Sequence, residues 1–209
     1  SAVDIVTIPR GAGNQRLQLG LNLSTTNDGD AYYGVLGRWT IQPLNPSAGE
    51  FRVTTEIGTN LILDLEWMQP LGTTGAFFIE SGLNYTEQTV PVNVGDIRLA
   101  ERRDNSAAAR LIFGREFGRW GVAEIGAHAL TLDSDILVGD TFGLGTQSGD
   151  YLGVSGRFAI DTFNSPSFPI RGQLLDLQLE GYGSMDGDDE ATQAQLILAS
   201  AQTLGPIAT

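Results

Sequence analysis

The chain has 209 residues, no cysteine and a formal net charge of −13. The missing thiols exclude disulfides and thiolate metal centres, and the acidic balance speaks against a nucleic-acid partner, which requires a basic surface. No apolar run approaches the ~20 residues of a membrane-spanning helix, no signal peptide is visible, and Ser1 reads as the start of a mature chain or of an excised fragment. No Pro/Ser linker or low-complexity run divides the sequence, so residues 1–209 read as one domain.

Period-2 alternation of apolar and polar residues runs through the chain, while helical period-3.6 stripes are scarce. Arg16–Ser24 sets Leu17, Leu19, Leu21 and Leu23 against Gln18, Gly20 and Asn22. Ala31–Gln42 sets Tyr33, Val35, Trp39 and Ile41 against Gly34, Arg38 and Thr40. Glu50–Gly58 sets Phe51, Val53 and Ile57 against Arg52, Thr54 and Glu56. Ile62–Gln69 sets Leu63, Leu65 and Trp67 against Asp64 and Glu66, and Phe77–Glu87 sets Phe77, Ile79, Leu83 and Tyr85 against Glu80, Gly82 and Asn84.

The second half continues the pattern. Asn105–Glu116 places Leu111 and Phe113 opposite Arg110 and Gly114, and Trp120–Leu130 places Ala123, Ile125 and Ala127 opposite Glu124, Gly126 and His128. Tyr151–Asp161 places Leu152, Val154, Phe158 and Ile160 opposite Gly153, Ser155, Arg157 and Asp161. Gly172–Tyr182 is nearly perfect, with Leu175, Leu177 and Leu179 opposite Asp176, Gln178 and Glu180; Thr192–Thr203 is the least regular. Each segment has about the 9–11 residues of a tilted membrane strand. The expected fold is all-β: an antiparallel up-and-down meander of about ten strands, part of a transmembrane β-barrel.

The connections PLNPSAGE, PLGTTG, FGR and TFNSPSFPIR read as compact turns at one end. TTNDGD, QTVPVNVGDIRLAERRD, TLDSDILVGDTFGLGTQSGD and GSMDGDDEA read as longer or more acidic loops at the other, with GTNL as the exception. Short turns at one end and long loops at the other suit an outer-membrane barrel. Trp39, Trp67, Phe77, Phe117 and Trp120 all lie beside the short-turn end, where amphipathic rings would sit at a membrane interface. A soluble β-sandwich or a lipocalin-like binding module produces the same alternation. The loop asymmetry, the clustered aromatics and a second face of small residues with charges of both signs favour the membrane.

RLQLGLNLSTTNDGDAYYGVLGRWT resembles the opening barrel hairpin of bacterial patatin-like phospholipases of the outer membrane, the patatin subclass of type V secretion. GEFRVTTEIG, LEWMQPLG and FFIESGLNYTEQTVPV resemble the next strands, and FGREFGRWGVAEIGA the middle hairpin. DTFNSPSFPIRG resembles a periplasmic turn shared across the bacterial surface-antigen barrel superfamily, with Asp161, Pro169 and Gly172 at its recognisable positions. The resemblance implies a bacterial outer-membrane location, a lipid-bilayer partner, and an attached N-terminal hydrolase with a periplasmic module. It also implies a barrel of about sixteen strands, of which this chain would be the first part. A homo-oligomer stays open. Family hydrolases carry a GxSxG elbow, but LGVSG does not have both glycines at the required spacing, so no catalytic residue is assigned and the chain is expected to be non-enzymatic.

On this reading Arg38, Arg52, Glu80, Arg110, Glu124, Arg157, Asp176 and Glu180 are lumen-facing charges, joined by Asp64, Glu66 and Asp161. Mutual ion pairing is their expected role, with a conducting or chain-threading lumen as the alternative. Trp39, Trp67, Phe77 and Trp120 are the expected interface aromatics. Pro166 and Pro169, without backbone donors, suit a turn outside the ladder. His128, the sole histidine, has no nameable nucleophilic partner. Asp133 and Asp135 read as a loop pair, and Asp186, Asp188, Asp189 and Glu190 lack the full spacing of a calcium loop. Asn27, Asp28 and Asp30 have a weaker claim to a cation. No metal and no cofactor are assigned.

Overall fold

The computed structural model describes residues 13–25, 31–94, 97–139, 147–165, 169–187 and 189–202. Ten strands follow one another: β1 (Gln15–Thr25), β2 (Ala31–Ile41), β3 (Glu50–Gly58), β4 (Asn60–Leu71), β5 (Phe77–Val94), β6 (Ile97–Glu116), β7 (Gly121–Gly139), β8 (Gln147–Asp161), β9 (Gly172–Ser184) and β10 (Glu190–Ala201). They form one antiparallel sheet in chain order, each strand pairing only with its sequence neighbours. All ten expected segments are strands, and the alternation divides each into a leucine face and a polar face.

The register keeps like with like. Leu17 stands opposite Trp39, Trp39 opposite Val53, Val53 opposite Leu65, and Leu65 opposite Leu83. The line continues through Ala109, Ala129 and Leu152 to Gly183 and Glu190. Leu17 lies two residues from the turn-side end of β1, whereas Glu190 lies eleven from the turn-side end of β10. The sheet therefore staggers by nine residues in nine strand-to-strand steps. One residue of rise per inter-strand spacing corresponds to a strand tilt of ~35°, within the range of closed barrels.

The leucine face is bare. Leu17, Leu19, Leu21 and Leu23 are 60%, 55%, 47% and 63% exposed, and Ile125, Val154 and Leu198 exceed them. Among the described residues only Phe78, Ala100 and Ala159 are buried apolar side chains. A sandwich or lipocalin-like module requires the leucines to form a buried core. Among the described residues a single sheet leaves them exposed instead.

Loop lengths also differ from expectation. Residues 95–96 alone separate β5 from β6, and β7 runs on to Gly139. Most of both expected long loops is therefore strand, and Asp133 and Asp135 lie within β7 rather than in a loop. Two of the expected compact connections are longer than any opposite: residues 42–49 join β2 to β3, and residues 162–171 join β8 to β9. The asymmetry lies in strand length. β5, β6 and β7 project beyond their flanking strands as a three-stranded tongue, because β4 stops at the Asn60–Gln88 pair and β8 at the Ser134–Gln147 pair. Pro91 sits in that projection, opposite Glu101. With β4 absent on its other side, this stretch is an edge strand, where proline is tolerated.

Candidate functional site: the polar face

Every charge expected on the polar face is found there by register: Arg38, Arg52, Glu80, Arg110, Glu124, Arg157, Asp176 and Glu180. Six of them fall into two clusters, Arg52, Glu80 and Arg110 in one and Glu124, Arg157 and Asp176 in the other. In the first, Arg52 pairs with Glu50 and, at 2.9 Å, with Glu66. Arg110 meets Glu66 at 2.5 Å, Glu80 at 3.2 Å and Asp64 at 3.6 Å. Asn84 donates to Asp64 at 3.3 Å. In the second, Arg157 pairs with Asp176 at 2.7 Å and Glu124 at 3.5 Å, and Gln178 donates to Asp176 at 3.3 Å. Arg38 donates to Thr54 at 3.3 Å.

Some of these contacts join strands two apart. Arg110 of β6 reaches Glu66 and Asp64 of β4 over Gly82 of β5, where an added Cβ would lie 2.6 Å from the guanidinium carbon. Asn22 of β1 donates to Glu56 of β3 at 3.3 Å, and Gly34 of β2 lies directly under Glu56. Strands two apart are separated by ~9.5 Å, so glycine on the middle strand opens the path. The polar side chains thus lean toward one another, while the leucines on the reverse face stand apart. That is the arrangement of a sheet curved with its polar face inward.

The sequence gives no cue to two of the contacts. Glu50 joins the Arg52 cluster, and Ser155 lies 2.6 Å from His128 Nε2. The expectation that His128 lacks a nucleophilic partner is therefore corrected. Ser155 is paired with Gly126 on one side and Glu180 on the other, so the serine stands in the middle of a continuous ladder. An acyl-transfer site needs backbone donors free to face an oxyanion, and a continuous ladder commits those donors. Among the described residues no carboxylate holds the other imidazole nitrogen. The pair acts as a hydrogen bond within the wall.

At the β8–β9 turn, Asp161 accepts from the Phe163 amide at 2.9 Å, and Asn164 accepts from the amides of Ile170 and Arg171 at 3.1 Å each. Pro169 lies in this turn, outside the strands. Gly172 opens β9 at φ 120°, a conformation that favours glycine, and its Cβ position would collide with the Thr162 carbonyl. Pro166 lies outside the described residues, as do Asp188 and the segment holding Asn27, Asp28 and Asp30.

The aromatics gather at the turn end. Trp39 packs edge-on against Phe51 with centroids 6.4 Å apart, Phe77 stacks on Phe113 at 5.8 Å, and Phe117 stacks on Trp120 at 5.4 Å. Trp67 stands opposite Phe51 in the same row. Trp39, Phe77 and Trp120 are 37%, 41% and 49% exposed.

No family model matches this sequence, and no curated protein does. Among solved structures the chain is similar to BamA from Haemophilus ducreyi lacking POTRA domains 1–3, with a TM-score of 0.63 at 11% identity. The match covers 85% of this chain and 35% of that one, so this chain spans about a third of its neighbour's length. The likeness is one of fold, and it supports a β-barrel architecture for the ten-stranded meander.

Proposed function

We propose that this chain is a wall segment of a bacterial outer-membrane β-barrel, non-enzymatic in itself, that anchors an attached patatin-like hydrolase. The observation that carries the membrane reading is the bare leucine face running across ten tilted strands. Burial of apolar surface contributes roughly 25 cal/mol per Å²; among the described residues no second layer covers this face, and lipid supplies that burial. The polar face, with most of its mid-strand charges ion-paired, forms the lumen wall. The attached hydrolase and the periplasmic module rest on the sequence resemblance.

The ten strands belong to a larger barrel. β1 and β10 do not pair with each other, and an open edge in hydrocarbon leaves backbone groups unsatisfied at several kcal/mol each. Expression with a signal sequence followed by membrane fractionation tests the membrane reading. The protein should enter the outer-membrane fraction and resist extraction at high pH. Recovery as a detergent-free soluble monomer overturns it.

A further inference from the structure

We propose that Arg115, with Arg119 in the adjoining turn, forms a seat for the phosphate of an anionic glycerophospholipid at the turn-end rim. The inference rests on the membrane reading and adds a ligand to it. Arg115 stands on the leucine face, opposite Phe77 on β5 and Ala123 on β7. Among the described residues it is the one charged side chain on that face at the turn end. Glu116, its neighbour in sequence, points to the opposite face by alternation.

The guanidinium is held by rings. Its carbon lies 5.2 Å from the centroid of Phe77 and 5.1 Å from that of Phe117. Both rings are themselves stacked, Phe77 on Phe113 and Phe117 on Trp120. Cation–π contact fixes the group at the depth where interfacial aromatics sit, but rings accept no in-plane hydrogen bonds. The five N–H donors of a guanidinium find no carboxylate here among the described residues, unlike those of Arg52, Arg110 and Arg157. A phosphate meets this fork with two parallel bonds.

Charge selects the lipid. Arg119 and Arg171 lie at the same end, also without a carboxylate partner among the described residues. The opposite end carries Asp133, Asp135, Asp150 and Glu190. At the turn-end rim Arg16, Arg115, Arg119 and Arg171 stand against Glu116 and Asp161, and this net positive charge favours a headgroup with net negative charge over a zwitterionic one. All twelve basic residues of the chain are arginine, so the rim reads phosphate through planar forks.

The test uses the full-length protein in vesicles of equal phosphatidylglycerol and phosphatidylcholine, with retained lipid identified by native mass spectrometry. Wild type should retain phosphatidylglycerol in several-fold excess. Arg115→Gln should lose most of that excess, Arg115→Lys should keep part of it, and added inorganic phosphate should not displace the lipid. Insertion is read separately, by protease protection. Insertion of wild type without lipid preference overturns the site alone, and failure to insert in either lipid overturns the membrane reading with it. Should Arg115→Gln not insert, Arg119→Gln carries the test: undiminished preference in that variant overturns the two-arginine seat.

Discussion

Asp104 shows how a single side chain ties the tongue together. It accepts from Arg102 at 2.8 Å and, across the strand pair, from Ser134 at 2.7 Å. Burial alone would push its carboxyl up, but these hydrogen bonds and the Arg102 charge outweigh it and hold the carboxyl below its ordinary range. Because its pKa is lowered by folding, Asp104 stabilises the tongue fully above the ordinary carboxylate value of ~3.9 and loses that effect as pH falls through its lowered value. NMR of the Ser134 and Arg102 amides should show a step in that acidic window, and Asp104→Asn should abolish it. Unchanged Ser134 signals down to strong acid would show that the contact is not made. None of this was legible in the residues alone. Asp104 and Ser134 are thirty positions apart, and only the β6–β7 register brings them together. His128 and Ser155 were hidden for the same reason, since their contact is diagonal across two strands.

At the level of the strand, alternation carried most of the information. It separates the two faces of all ten strands, because a one-residue slip would move every leucine to the polar side. Strand ends were less legible. Proline at position 91 reads as a stop, and only the shortness of β4 makes it permissible. The two faces of β9 give opposite predictions. Leu177→Arg, on the bare face, should cost ~2–4 kcal/mol at mid-membrane depth, measured as unfolding by denaturant in vesicles. Gln178→Leu, one residue on, should insert as well as wild type, since it removes one donor to Asp176 and leaves the Arg157 pair intact. If instead Gln178→Leu aggregates as a water-soluble species, the polar face is the outer one. The glycines that let arginine reach two strands away were visible as residues but not as gaps. Gly82 acquires meaning only when β4, β5 and β6 are laid side by side.

For the whole molecule, an open sheet of ten tilted strands makes a prediction about its margins. On the proposal that the ten strands are part of a larger barrel, amides of β1 and β10 in the whole barrel should exchange as slowly as those of β9. In the 209-residue chain alone in detergent they should exchange much faster. Equally slow exchange in a proven monomer of this chain would mean that the ten strands close on themselves. The meander also has a mechanical side. Each strand is bonded only to its neighbours in sequence, so no strand is locked in place by a crossover. Tension applied to the chain beyond β10 loads one ladder at a time, peeling its bonds in series rather than shearing many at once. Extraction from a bilayer by a cantilever should therefore give a sawtooth, each tooth one hairpin. Freeing Gly172–Ala201 should lengthen the slack chain by ~100 Å, and the long β5–β6 hairpin by markedly more.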